Sequence, residues 1–140
     1  MENENEPYFN PRILKGYMDK VTGPSFAEIG ISFSSAPFIC EIRKNEGISL
    51  KGLTDLLMVD KAHTTRVVSK LIDSGLVENR AQGHEYSLFL TEKGKETAME
   101  ADLIFKKAWN GIIRDLTVEE KETFDVILRK MSNVIKEEIQ

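Results

Sequence analysis

The chain has 140 residues, of which 41% are hydrophobic and 30% charged, the balance of a soluble globular protein rather than a disordered one. No apolar run approaches the roughly 20 residues that cross a bilayer, so we expect no membrane partner. A single cysteine, Cys40, excludes an internal disulfide framework and fits a reducing compartment. The first ten residues carry three glutamates and no basic residue, the opposite of a leader, and we expect a cytoplasmic protein.

The formal net charge is −4, which is unusual for a protein that binds nucleic acid, but the charge is unevenly distributed. Residues 1–10 are acidic, and we expect them to form a disordered tail. Residues 49–95 hold 7 basic and 6 acidic residues, and residues 61–70 hold 3 basic and no acidic ones. The acidic total therefore does not exclude DNA as a partner.

The apolar spacing of residues 11–29 predicts a first helix. We expect it to be kinked or broken at Gly23-Pro24, because a residue before proline is pushed out of the α region. A second helix is predicted from about Ser35 to Asn45, with Ser32 or Ser35 at its start and Gly47 as its stop.

A pair of short helices is predicted next. Ser49 opens a third helix with leucines on one face, and Asp60 is placed to cap a fourth helix over residues 61–74. Gly75 ends the fourth helix because glycine adopts the left-handed conformation at little cost. We expect this helix to pack through the apolar residues Ala62, Val67 or Val68, Leu71 and Ile72.

The apolar period then changes from 3.6 towards 2, which predicts two strands, residues 76–80 and 85–90, joined by a turn over residues 81–84. Thr91 is placed to cap a long helix, whose apolar residues recur in steps of three and four. Thr117, with Glu120 three residues later, forms a capping box that starts a last helix.

Two short helices joined by a tight turn and followed by a hairpin form the layout of a winged helix-turn-helix. The expected fold is mainly α with a small β-hairpin wing. The second helix of such a pair enters the DNA major groove, where side chains reach base edges and phosphates. The candidate DNA-binding residues on this helix and the wing are Lys61, His63, Thr64, Thr65, Arg66, Ser69, Lys70, Arg80 and His84. The alternative for Arg66 is a surface ion pair with Asp55 or Asp73.

Residues 53–77, LTDLLMVDKAHTTRVVSKLIDSGLV, resemble the helix-turn-helix of the multiple antibiotic resistance regulator (MarR) family without a gap. Residues 90–94 are similar to the family's Leu-Thr-x-x-Gly after the wing, and residues 116–120 to its Leu-Ser/Thr-x-Glu-Glu before the last helix. Residues 30–32 are similar to its Gly-Leu-Thr before the second helix.

The resemblance implies a homodimeric transcription regulator. The flanking segments, residues 11–48 and 96–140, would be dimerisation helices around a DNA-binding lobe of residues 49–95. Two recognition helices would meet a near-palindromic operator at half-sites roughly 34 Å apart. It also implies a dimeric repressor that a small phenolic or amphipathic ligand releases. The aromatic candidates for lining the ligand cleft are Tyr17, Phe26, Phe38, Phe105 and Trp109. The alternative for each of them is a place in the core or in the dimer interface.

Two positions depart from the family pattern. The wing is about three residues short and offers Arg80 and His84 in place of an Asp-x-Arg or Asp-Arg-Arg motif. Met58 stands where the family often has a glycine in the turn, so we expect either backbone strain there or a slightly different turn. The short wing suggests a regulator that reads DNA mainly through the major groove.

Other functions find less support in the sequence. Cys40 lies among apolar residues of a helix, which favours an inert buried thiol over a redox sensor. Two histidines and one cysteine show no metal-ligand spacing, and no cofactor is expected. No nucleophile–base pair or phosphate-binding glycine loop indicates an enzyme. The remaining alternative is a winged-helix module that binds protein instead of DNA.

Overall fold

The computed structural model describes residues 9–139, so the tail expected to be disordered lies almost wholly outside the described residues. The described chain forms six helices and one two-stranded sheet. In chain order they are α1 (Pro11–Glu28), α2 (Ala36–Lys44), α3 (Leu50–Leu57), α4 (Lys61–Asp73), β1 (Val77–Asn79), β2 (Leu88–Leu90), α5 (Glu92–Ile112) and α6 (Val118–Glu138). None of the helices within residues 9–139 combines the length and the apolarity needed to cross a membrane.

The chain divides after Lys106, within α5, into two compact units. The first unit has one apolar core to which α1 to α5 and both strands contribute. Its most deeply buried side chains, each less than 2% exposed, include Phe26, Ile39, Ile42, Leu53, Val68 and Leu88. The second unit consists of the end of α5, a turn and α6. The assignment of the flanking helices to dimerisation stays a prediction.

Helix α1 begins at a cap and continues through a proline. The Asn10 side chain accepts a hydrogen bond from the Ile13 amide (2.9 Å), and Pro11 occupies the first turn, where its missing N–H costs nothing. Of the two alternatives predicted at Gly23-Pro24, a kink or a break, the break is wrong, because α1 runs on to Glu28, and the kink stays a prediction. An internal proline costs about 3 kcal/mol. Phe26, fully buried two residues later, offsets much of this cost, since burying such a ring stabilises by about 1.5–3 kcal/mol.

The predicted caps of α3, α4 and α6 are confirmed, and the predicted cap of α2 is not. The Ser49 hydroxyl accepts from the Gly52 amide at the start of α3, and the Asp60 carboxylate accepts from the His63 amide at the start of α4 (2.7 Å). The capping box of Thr117 and Glu120 is present with both of its hydrogen bonds. Ser35 is the residue that precedes α2, and it exchanges hydrogen bonds with Ser32 instead of bonding the first turn.

The wing differs from its prediction in length. Strands β1 and β2 pair antiparallel over three residues each, in the register Val77↔Leu90 to Asn79↔Leu88, and residues 80–87 form the connection. The strands are therefore shorter than the predicted strands 76–80 and 85–90. The connection between them is longer than the predicted turn 81–84. In the next rung the Arg80 amide still donates to the Ser87 carbonyl (2.9 Å), but the Ser87 amide donates to the Asn79 side-chain oxygen (2.9 Å), which also accepts from the Ala81 amide (3.0 Å). The Asn79 side chain thus takes the place of one of the two hydrogen bonds of that rung.

A third segment pairs with β2 on its other edge. The Gly47 amide donates to the Leu88 carbonyl (2.7 Å), and the Leu88 amide donates to the Ile48 carbonyl (3.0 Å). This pairing ties the segment before α3 to the wing. Residues 47–48 were expected only to follow the end of the second helix, so the sequence analysis missed this contact.

Candidate nucleic-acid interface

Helices α3 and α4 are held together by a turn and a pair of hydroxyls. Met58 adopts the left-handed conformation (φ 54°, ψ 43°) at the end of α3. This conformation is strained for a residue with a Cβ, which agrees with the strain expected at this position. Between the helices, the Thr54 and Thr64 hydroxyls lie 2.8 Å apart, and Thr64 also donates to the Asp60 carbonyl (3.2 Å). These contacts hold α4 against α3.

The outer face of α4 is basic and unpaired. Lys61, Arg66 and Lys70 are exposed, and among residues 9–139 none of the three takes part in an ion pair. Neither alternative partner of Arg66, Asp55 or Asp73, forms an ion pair with it among the described residues, and Asp55 is bound by Lys51 (2.9 Å). Thr65 and Ser69 are exposed on the same helix, and the Thr65 hydroxyl donates to the Lys61 carbonyl (2.9 Å). This face presents cations and small polar groups to solvent.

Three residues of α4 do not lie where the sequence analysis put them. Thr64 is fully buried, so the prediction that it faces DNA is wrong. The cause is its position on the packing face, where the hydroxyl of Thr54 satisfies it. Ala62 is exposed and does not contribute to the core. His63 is half-buried, and its ring packs edge-to-face against Phe38 at a centroid distance of 5.5 Å.

The two candidate residues of the wing, Arg80 and His84, differ in the contacts that their side chains make. The Arg80 guanidinium is bound by the Glu78 carboxylate (2.6 Å) and lies over the Phe89 ring, 4.1 Å from its centroid. Glu78 and Phe89 face each other across the strand pair, so both partners of Arg80 come from one rung. His84 is exposed in the connection between the strands. That Arg80 is held on the sheet was not predicted; Glu78, two residues earlier in the sequence, is the signal that indicates it.

The aromatic residues considered for a ligand cleft occupy different surroundings. Phe26 and Phe38 are 0% and 2% exposed, so the prediction that these two line an open cleft is wrong for this chain. Half-buried Phe105 packs edge-to-face against Phe26, with ring centroids 5.0 Å apart. Tyr17 is exposed, and within the second unit Trp109 packs against Phe124 (5.9 Å). Tyr17, Phe105 and Trp109 stay predictions.

A cavity of about 390 Å³ lies beside α4, where none of the aromatic candidates is found. Its apolar lining includes Ile31, Val67 and Leu71, and its charged lining consists of Lys70 and Asp73. A volume in this range accommodates a small organic molecule. The sequence offered no local signal for it, because its walls come from the α1–α2 connection and from α4.

The cysteine environment suppresses reactivity. Cys40 is buried in α2, and burial, with a smaller contribution from the Asp102 charge, raises the pKa of its thiol to about 11. A thiol with so high a pKa is almost entirely protonated at neutral pH and is a poor nucleophile. This environment favours a structural role. Within the part of the chain that the structure describes, no group of three or more His, Cys, Asp or Glu side chains could hold a metal ion.

A basic helix projected by a helix-turn-helix and followed by a two-stranded wing defines a winged helix-turn-helix protein. The family model described as MarR family matches residues 38–82. The HTH-type transcriptional regulator BilQ from Clostridioides difficile (strain CD3) is 33% identical over 104 residues, which cover 72% of this chain and 67% of the relative. The chain therefore belongs to the MarR family of transcription regulators.

Solved structures share the fold over most of the chain. A MarR transcriptional regulator from Methanosarcina mazei Go1 has a TM-score of 0.81 and 26% identity, covering 89% of this chain and 86% of its own. A mutant MarR from E. coli, solved in complex with operator DNA, has a TM-score of 0.72 and 21% identity, with 86% and 89% covered. The expected mainly helical fold with a hairpin wing is confirmed. The alternative of a protein-binding module finds no support among these relatives.

Proposed function

We propose that this protein binds promoter DNA sequence-specifically as a homodimer and represses transcription by occupying the promoter. The observation that carries the proposal is the outer face of α4, where Lys61, Arg66 and Lys70 are exposed and unpaired among the described residues and no acidic residue intervenes. A helix of this kind fits the major groove, which is roughly 12 Å wide. The E. coli structure with operator DNA supports the same use of the fold.

Each exposed residue of α4 has a role that follows from its chemistry. Arg66 is assigned to a guanine edge, because its planar guanidinium donates two parallel hydrogen bonds there. Thr65 and Ser69 offer hydroxyls to bases or phosphates. Lys61 and Lys70 are assigned to phosphates, which position the protein without reading sequence. His63 is half-buried and reaches DNA only through the exposed part of its ring.

The homodimer is supported by apolar faces that the single chain leaves exposed. In α6, Ile127, Met131, Val134 and Ile135 are each 47–57% exposed and recur at helical spacing. In α1, Ile13, Tyr17 and Val21 form a stripe four residues apart. A two-fold dimer that covers such faces would present two copies of α4 to successive major grooves, roughly 34 Å apart.

A small phenolic or otherwise amphipathic ligand is proposed to release the dimer from DNA. The cavity beside α4 supports this proposal, because it combines an apolar wall with Lys70, a residue assigned to a phosphate. A ligand acts only through different affinities for the DNA-binding state and the released state. We assign the chain no catalytic activity. We propose that, as a regulator of promoter DNA, it acts in the cytoplasm.

The test of this function is DNA binding by the full chain to the duplex upstream of its own gene, compared with a random duplex at several salt concentrations. We expect preference for the upstream duplex and a log–log salt slope of about −0.9 for each phosphate contacted. Arg66→Ala should weaken binding to the upstream duplex by about tenfold or more, since one bidentate base contact is worth about 1–3 kcal/mol.

The matched control is Arg114→Ala, which removes the same charge from an exposed site in the turn after α5. It should leave the preference between the two duplexes unchanged. Equal affinity for both duplexes, or an unchanged preference in Arg66→Ala, would contradict sequence-specific DNA binding through α4.

A further inference from the structure

The outer face of α4 carries an apolar residue that the core does not use. Ala62 is exposed and does not belong to the apolar core of the first unit. Thr65, Arg66 and Ser69 are exposed as well, at three, four and seven residues after Ala62. On a helix these spacings place the four side chains on one face, opposite the buried residues of α4, which include Leu71. Ala62 therefore lies in the row of side chains that α4 would turn towards the bases.

The hydroxyl group of Thr65 is turned back onto its own helix. It donates to the Lys61 carbonyl (2.9 Å), and because a hydroxyl has one hydrogen, it has none left to donate. Phosphate oxygens, guanine N7 and O6, and thymine O4 are all acceptors, so a hydrogen bond to any of them needs a donor. This geometry narrows the role of Thr65 proposed above. What remains is an oxygen that can accept from the amino group of adenine or cytosine, and the γ-methyl group.

Ala62 and Thr65 together offer two adjacent methyl groups. Side chains three residues apart on a helix have their Cβ atoms about 5–6 Å apart, so one small apolar group can touch both. We call the Ala62 Cβ and the Thr65 Cγ2 the methyl pair. Arg66 follows directly and is assigned to a guanine edge, so the methyl pair lies where α4 would meet bases. Among the four bases, thymine alone presents a methyl group in the major groove, and the methyl groups of alanine and threonine are suited to contact it.

We propose that the methyl pair reads the C5-methyl group of one thymine in each half-site, which makes Ala62 and Thr65 specificity-determining residues. The proposal rests on the sequence-specific DNA binding proposed above and names one base of the operator. Four residues of helix advance about 6 Å, and neighbouring base pairs are about 3.4 Å apart. Because Ala62 precedes Arg66 by four residues, the thymine should lie within about two base pairs of the guanine assigned to Arg66.

The experiment replaces thymines of the duplex by uracil, which pairs in the same way and lacks only the C5-methyl group. The full chain is titrated with the segment of the upstream duplex that it protects from nuclease, with one thymine replaced at a time. Replacing the thymine that the methyl pair reads should lower the affinity by about fourfold, the factor for losing contact with about one methyl group, and by about fifteenfold when both half-sites are changed. This thymine should lie within about two base pairs of a guanine whose replacement by 7-deazaguanine weakens binding of the unmodified chain but not of Arg66→Ala.

Variants of the methyl pair are compared by the ratio of their affinities for the thymine and the uracil duplex. A general loss of helix stability lowers both affinities alike, so it leaves this ratio unchanged. Ala62→Gly combined with Thr65→Ser removes both methyl groups and keeps the hydroxyl, and the ratio should fall from about four to about one. Thr65→Val keeps the methyl group and removes the hydroxyl, so the ratio should persist. Ser69→Ala is the matched control on the same face of α4, and it should leave the ratio unchanged.

A ratio that stays at about four in the double variant, or that falls to about one in Thr65→Val, would overturn the proposal. It would also be overturned if no uracil lowered the affinity while the chain still preferred the upstream duplex to a random one, and in that case the proposed function would stand. Equal affinity for the upstream and the random duplex would contradict the proposed function itself, and the reading of thymine with it.

Discussion

Met58 carries the backbone conformation on which the helix-turn-helix turn depends. Its φ of 54° places it in the left-handed region, where a side chain with a Cβ costs about 1 kcal/mol more than glycine. The side chain is 58% exposed, so packing contributes little in return. The amide of the following residue, Val59, donates to the Thr54 carbonyl (3.3 Å), which is the contact that this conformation makes possible.

Replacing Met58 with glycine should therefore stabilise the protein. We expect Met58→Gly to raise the free energy of unfolding by up to about 1 kcal/mol, measured by urea denaturation. Met99→Gly is the control, because Met99 is similarly exposed (52%) but lies within α5. There the same substitution should lower stability by about 1 kcal/mol. Destabilisation by both substitutions would show that Met58 is not strained.

At single residues, the sequence predicted charge and exposure better than it predicted partners. Lys61, Arg66 and Lys70 are exposed as expected, because long charged side chains are rarely buried without a partner. Thr64 was misplaced because its hydroxyl suggested a solvent-facing residue. Its partner Thr54 is ten residues away and meets it only once α3 packs on α4. The stacking of Arg80 likewise depends on the register of β1 with β2.

Among the elements, α5 begins against the backbone of the residue that precedes the wing. The Thr91 amide donates to the Leu76 carbonyl (3.1 Å), and the Thr91 hydroxyl donates to the Gly75 carbonyl (2.6 Å). One turn later, Gly94 lies so close that a Cβ on it would be 1.9 Å from the Leu76 oxygen. Only glycine allows the first turn of α5 to approach this closely, which explains in physical terms why Gly94 stands where it does in the Leu-Thr-x-x-Gly spacing of residues 90–94.

Gly94→Ala should destabilise the first unit strongly. A backbone oxygen cannot move aside cheaply, and we expect a loss of about 2–4 kcal/mol in the free energy of unfolding, at or beyond the usual cost of overpacking. Gly111→Ala is the matched control in the same helix, because a Cβ there meets nothing within 4 Å and alanine is the better helix former. It should raise stability by up to about 1 kcal/mol. A mild effect of Gly94→Ala would mean that α5 can shift away from Leu76.

The elements that the sequence predicted well are those set by local signals. Caps such as Ser49, Asp60 and Thr117 bond to amides three residues ahead, so their effect is contained in a short stretch of sequence. The shortened wing and the pairing of residues 47–48 with Leu88 depend on side chains and strands far apart in the chain. Pro24 does not break α1, because the local rule is outweighed by the burial of Phe26.

At the scale of the whole molecule, α6 exposes an apolar face that the proposed dimer would cover. Met131 and Val134 are 57% exposed, and Ile135 is 47% exposed, although all three lie on one side of the helix. Contiguous apolar surface of this kind marks a contact with another molecule. A second copy of the chain is the occupant that the proposed function requires, because two recognition helices are needed for a two-fold operator.

Met131→Glu should disrupt that dimer. In a two-fold interface each substitution occurs twice, and burying an unpaired carboxylate costs several kcal/mol, so the dimer should weaken by at least about a hundredfold. Sedimentation equilibrium at micromolar concentration should give the mass of a dimer for the unmodified chain and of a monomer for the variant. Asn133→Glu, exposed on the opposite side of α6, adds the same charge and should leave the dimer intact. A dimeric Met131→Glu variant, or a monomeric unmodified chain, would contradict pairing through this face.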